Sequence, residues 1–335
     1  MMNLQNKILI TLFALGTIFW GCDSLIYDDL ADCPQGVYVK FYSMTPCASD
    51  STFLGSVASL TLFAFDENDR LATSVTQNNV TLDRDYNVLM PVSDGKFSFV
   101  AWAGVNDNFT LGSFINGTTT KKDVMLTLKT ASGVAANLSS TRVWQGESPV
   151  VFLPDPSEYA SFYEYTAVNL QEITNRITLV VEFDKASMEE KDIKDLDAEV
   201  SAANGTINID GSMPAGKEVL KYTSDSAPAY SVNESNGNQT VTWNYNLLDL
   251  KTGFFNNLYL SYKDDEEEGS FFDGDLIGSI LLTADEKGGV NLDCDNDFTI
   301  RFVIRDACVT CWTHMSCDIW INDWQVHSYS TSLGN

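Results

Sequence analysis

The segment "RITLVVEF" (176–183) sets Ile177, Leu179, Val181 and Phe183 against Arg176, Thr178, Val180 and Glu182. Strict alternation puts one apolar set on one side of a pleated strand, because side chains in an extended chain repeat every second residue. The same pattern recurs along the chain. It appears in "VYVKFYS" (37–43), "SLTLFAF" (59–65), "FSFVAWAG" (97–104), "VVFLP" (150–154), "TVTWNYNL" (240–247), "NLYLSY" (257–262), "LIGSILLT" (276–283), "FTIRFVIR" (298–305) and "CDIWINDWQVHSY" (317–329). Gly, Asn, Asp or Pro punctuates the gaps. Many short strands separated by turn residues specify an all-β chain built from sandwiches. One short helix is expected over 187–196, on the thin apolar face of Met188 and Ile193. The Asn204-Gly205 pair between alternating runs predicts a β-hairpin, since both residues tolerate positive φ.

A length of 335 residues suits two domains. The prolines of "LPDPSEYASFYEYT" (153–166) place the cut near 158, giving sandwiches over 33–158 and 159–335. The acidic run "KDDEEEG" (263–269) reads as a solvated loop.

Residues 1–21 contain one cation, Lys7, and no carboxylate, and the apolar run Ile8 to Trp20 is too short to span a bilayer. It has the size of a signal-peptide core. Gly21 precedes Cys22, which resembles the bacterial lipobox although Phe19 and Trp20 are bulky for it. The resemblance implies a lipoprotein signal peptide over 1–21, acylation of Cys22, and a tether over 22–32. More than one acyl chain is needed for stable anchoring. With Cys22 assigned to lipid, six cysteines remain: Cys33, Cys47, Cys294, Cys308, Cys311 and Cys317. In an exported chain an even number favours disulfides. Cys33 and Cys47 flank one strand and form the expected local pair; the other four cluster near the C-terminus with their connectivity open. Cys308, Cys311, His314 and Cys317 also supply zinc-ligand types, but at a spacing tighter than common zinc modules.

The formal net charge of −26 argues against binding nucleic acid and against electrostatic adhesion to anionic lipid. Only two histidines occur, and neither sits in a recognisable nucleophilic arrangement. No glycine-rich phosphate loop follows a strand. Asp293, Asp295 and Asp297 alternate as calcium ligands would, yet lack the glycine and closing glutamate of a calcium loop. Trp102, Trp243, Trp320 and Trp324 offer indoles for a sugar-binding surface, against the plainer reading that they are core. The sequence therefore predicts neither catalysis nor a cofactor or resident metal.

The stretch "IYDDLADCPQGVYVKFYSMTPC" (26–47) resembles the opening of the FimB-type (Mfa-type) fimbrillin-associated anchor lipoproteins. Tyr27-Asp28-Asp29-Leu30, Asp32-Cys33-Pro34 and Gly36-Val37 carry the likeness. "LQEITNRITLVVE" (170–182), with Asn175 and Arg176 before its alternating core, resembles that family's first strand of the second domain. "IWINDWQV" (319–326) resembles its closing strand. The resemblance implies two tandem transthyretin-like β-sandwich domains in an outer-membrane lipoprotein at the base of a fimbria. It implies shaft fimbrillin subunits as partners, joined by β-strand exchange that supports or limits assembly. The expected exchange segment is the terminal one, with Trp320, Ile321, Asn322, Asp323, Trp324 and Val326. The alternatives are a surface glycan-binding lipoprotein and a fimbrial tip adhesin.

Overall fold

The computed structural model describes residues 33–184, 192–263, 270–277, 291–306, 314–321 and 324–332. The chain is all-β, and its first sheet is small. Gln35–Tyr42 lies between Phe162–Asn169, which runs parallel to it, and Asn87–Met90, which runs antiparallel. Val37, Val39 and Phe41 are buried on one side, as the alternation predicts. They face a second sheet with the order Gln171–Glu172, Trp144–Glu147, Gly95–Ala103, Gly55–Asp66, Leu71–Leu82. Leu60, Leu62, Phe99 and Ala101 from that sheet close this first core. At one corner the two sheets nearly touch. A Cβ on Gly146 would lie 2.0 Å from the Asn169 carbonyl oxygen, so only glycine fits there.

Gly55–Asp66 and Gly95–Ala103 are buried on both faces. Phe63, Phe65, Val100 and Trp102 point away from the first core into a second one. The second sheet is thus a middle layer, and its inner strands read as nearly continuous apolar runs for that reason.

The second core continues into the C-terminal half. A six-stranded sheet runs in the order Ala229–Val232, Gln239–Leu248, Thr174–Phe183, Asp297–Asp306, His314–Ile321, Trp324–Ser332. Ile177, Leu179, Val181 and Phe183 are buried, as are Val241, Trp243, Phe298 and Ile300 on the adjoining strands. Opposing them is a sheet ordered Ser270–Asp275, Asn256–Tyr262, Leu196–Ala202, Leu220–Tyr222, Val134–Ala135, Thr130–Ala131.

Three expectations are corrected. The cut at 158 falls too early, because Phe162–Asn169 and Gln171–Glu172 pair with strands of the first two sheets; the changeover lies between Glu172 and Thr174. The halves also interlock: Val134–Ala135 pairs with Leu220–Tyr222, and Met125–Leu128 pairs with Thr206–Asn208. Residues 187–191 of the expected helix lie outside the described residues. Ile193–Asp195 forms a single 3-10 turn, capped by the Asp192 side chain accepting from Lys194 N, and a strand begins at Leu196. The Asn204-Gly205 hairpin does not form. Neither residue has positive φ, and the flanking strands pair with different sheets. Asn204 is buried, donating to the Leu248 carbonyl at 2.7 Å and accepting from the Tyr222 hydroxyl at 2.6 Å, while a Cβ on Gly205 would meet Leu220 at 2.4 Å. The pair marks a crossing between sheets, where a buried amide and a bare backbone are both required.

Candidate assembly surface

A strand-built interaction protein binds others through open sheet edges, because an edge strand presents unpaired amides and carbonyls. The C-terminal sheet ends on Trp324–Ser332, which pairs with His314–Ile321 on one side only among the described residues. The expected exchange residues therefore divide. Trp324 and Val326 sit on the edge strand. Trp320 and Ile321 sit on the strand inside it, which is paired on both sides. Asn322 and Asp323 lie outside the described residues.

Sequence reasoning missed a second edge. Leu71–Leu82 ("LATSVTQNNVTL") is twelve residues long, carries no charge and no proline, and ends the middle sheet. Its start is covered, since Leu71 N donates to the Thr119 carbonyl at 2.8 Å. Beyond that, no strand flanks its outer side among the described residues. Natural edges are usually blunted by Lys, Pro or a bulge; here the register slips between Leu71 and Thr73, beside the covered start, and Asn79 has a φ of 53°. The run of Thr, Gln and Asn has too weak an apolar alternation to be read as a strand, though its Thr and Val content is a β signal.

The cysteines correct another expectation. Cys47 is bonded to Cys294, with Cα atoms 5.9 Å apart across a sequence separation of 247, and not to Cys33. Cys33 is buried at the foot of the first strand. The bond joins the loop after that strand to the turn before Asp297–Asp306, so it links the two halves. Cys308 and Cys311 lie outside the described residues, as do Cys22 and the whole tether. Cys317 and His314 fall on one strand backbone.

The Asn175-Arg176 pair has a structural role at the changeover. Arg176 donates from Nη1 to Glu172 and from Nε and Nη2 to the two oxygens of Asp297, the last at 2.9 Å. Such a two-pronged contact is the strongest geometry for a guanidinium and a carboxylate. Burial pulls the Arg176 pKa down, but the hydrogen bonds to Asp297 and Glu172 outweigh it and leave the group raised. The hydrogen bond from Arg176 in turn holds Asp297 below the usual carboxylate range. Asn175 Nδ2 donates to Asp249 at 3.2 Å; burial pushes the Asp249 carboxyl up, against the pull of Lys251 at 3.4 Å.

These contacts count against the calcium reading of Asp293, Asp295 and Asp297. Asp297 is committed to Arg176, and Asp295 accepts from Asn291 N at 2.9 Å within its own turn. The sugar-surface reading of Trp102 and Trp243 fails as well, since both indoles are in the core.

A group with a depressed folded pKa stabilises above its unfolded value, about pH 4 for Asp, and loses that contribution as pH falls through the lower folded value. Asp297→Asn is therefore expected to show a shallower loss of stability below about pH 4 than the wild type. At pH 7 the cost is about 0.5–1 kcal/mol, kept small because the Asp297 carboxylate is largely exposed. Urea midpoints at pH 3 and pH 7 check this, and superimposable acid limbs would contradict it.

The sequence profile of the fimbrillin-A associated anchor proteins Mfa1 and Mfa2 matches residues 30–330. The chain belongs to this family. The minor fimbrium anchoring subunit Mfa2 of Porphyromonas gingivalis is 33% identical over 332 residues, covering 98% of this chain and 97% of that protein. The solved structure of the Porphyromonas gingivalis fimbrial anchor protein Mfa2 aligns with a TM-score of 0.74 at 31% identity, over 89% of this chain and all of that one. A polysaccharide-binding candidate from Bacteroides thetaiotaomicron shares the fold, with a TM-score of 0.69 at 20% identity, over 89% of this chain and 98% of that one. The family match spans both halves, from before Cys33 to the Trp324–Ser332 edge. Among the described residues no helix is long and apolar enough to cross a membrane.

Proposed function

We propose that this chain is the lipid-anchored base subunit of a fimbria, held in the outer membrane by an acylated Cys22 and joined to shaft fimbrillin subunits. The observation that carries the reading is the 33% identity to the Mfa2 anchoring subunit over nearly the full length of both chains. In this reading the chain is two tandem transthyretin-like sandwiches, the first reaching Glu172, and the sheet edges at Leu71–Leu82 and Trp324–Ser332, open among the described residues, support it. Either edge accepts or contributes a strand by ladder hydrogen bonds, with alternate side chains setting specificity. The protein acts as a structural link and needs no catalysis or cofactor for this role.

A chromosomal deletion tests the reading. Cells lacking the protein are expected to shed fimbriae into the medium, with altered shaft length, and complementation restores attachment. Fimbriae that stay cell-bound at normal length in the deletion strain would rule the reading out.

A further inference from the structure

The outer face of the three-stranded sheet is unlike the rest of the molecule. Val37, Val39 and Phe41 turn inward, so Tyr38, Lys40 and Tyr42 turn outward. Register places Tyr163 beside Gly36, and Tyr165 and Leu89 on either side of Tyr38. The Tyr38 and Tyr165 rings stack at 5.2 Å, and Tyr163 tilts against Tyr38 at 5.9 Å. Tyr165 is 68% exposed, Leu89 40% and Tyr163 39%. The other outward positions on these strands are Gly, Asn and Ala. Four of the chain's 13 tyrosines thus share a face that has one lysine and no carboxylate, on a chain with 46 acidic and 20 basic residues.

We propose that this face lies against the headgroup–acyl boundary of the membrane that holds the protein. The inference rests on Cys22 being the acyl attachment. Tyrosine suits such a boundary because its ring is apolar and its hydroxyl stays wet. The remaining surface, strongly acidic overall, is repelled by anionic headgroups, whereas a face with a single cation is not. Reach supports the same occupant. The strand carrying Tyr38 starts at Gln35, so the tether from Cys22 spans at most about 45 Å when fully extended. The start of that strand therefore stays within that distance of the acylated residue. The first core and the middle sheet lie on the opposite side of the tyrosine face.

Hydroxyl-radical footprinting read by mass spectrometry tests the proposal. The full mature chain, acylated at Cys22, is placed on vesicles of phosphatidylethanolamine and phosphatidylglycerol. It is compared with the Cys22→Ala chain free in solution. Oxidation of Tyr163 and Tyr165 is expected to fall several-fold on vesicles, while Tyr230 and Tyr259, exposed elsewhere, keep their rates. A Tyr165→Glu chain is expected to stay on the vesicles through its lipid but lose protection of Tyr163. Vesicle-bound protein whose Tyr163 and Tyr165 oxidise at the free rate would overturn the proposal. So would protection that arises only when shaft fimbrillin is added, which would assign the face to a protein partner. Failure of the acylated chain to remain with the vesicles would instead defeat the anchoring reading on which the proposal depends.

Discussion

Replacing both cysteines of the Cys47–Cys294 bond by serine is expected to destabilise the protein by about 2–5 kcal/mol. The bond closes a loop with a sequence separation of 247. Loop-closure entropy grows with the logarithm of loop length, so this bridge sits near the upper end of what one disulfide contributes. The local Cys33–Cys47 bridge expected from sequence would have closed a far shorter loop and braced one strand. The observed bond constrains both halves at once. Urea unfolding of Cys47→Ser/Cys294→Ser is expected to give a clearly lower midpoint than the wild type under oxidising conditions, and addition of a reductant should lower the wild type to match. Coincident midpoints without reductant would contradict this role.

Trp102→Ala is expected to cost about 3–5 kcal/mol, the range for removing a fully buried large aromatic. Trp102 is 0% exposed and stands on the face of the middle sheet that joins the core of the C-terminal half. The cavity would open where two layers meet, with little freedom to collapse. Trp102→Phe should be much milder, below about 2 kcal/mol, because it keeps most of the ring volume. Among the described residues no acceptor meets the Trp102 Nε1, so phenylalanine forfeits no hydrogen bond there. Thermal unfolding of the two variants separates the terms. Equal destabilisation by Ala and Phe would contradict the packing account.

The strand content was legible because alternation is local. Ile177, Leu179, Val181 and Phe183 are inward as the pattern requires, and Val37, Val39 and Phe41 likewise. What escaped was set by distant partners. Nothing in the sequence around Phe162–Asn169 says that it runs parallel to a strand beginning at Gln35, so a boundary set by the prolines falls too early. Thr130–Ala131 and Val134–Ala135 are too short to register as strands, yet they extend a sheet of the other half. Asn204-Gly205 has the composition of a hairpin turn, but burial of the Asn204 amide and the closeness of Leu220 put it to a different use. The Cys47 pairing depends on the fold bringing the 291–296 turn to the loop after the first strand. Of the candidate surface, the terminal strand was readable from its pattern, while the uncharged Leu71–Leu82 edge was hidden by its polar residues. Its exposure is a property of sheet order, which no local window contains.

The most direct test of the anchoring account is a pull-down from native membranes with Cys22 intact and with Cys22→Ala, read by mass spectrometry. The account predicts an acylated wild-type protein that brings shaft fimbrillin with it. It also predicts a Cys22→Ala protein that leaves the membrane and carries the fimbrillin into the medium. An acylated protein that captures no fimbrillin, or a Cys22→Ala protein that stays in the membrane with its fimbriae, would contradict it.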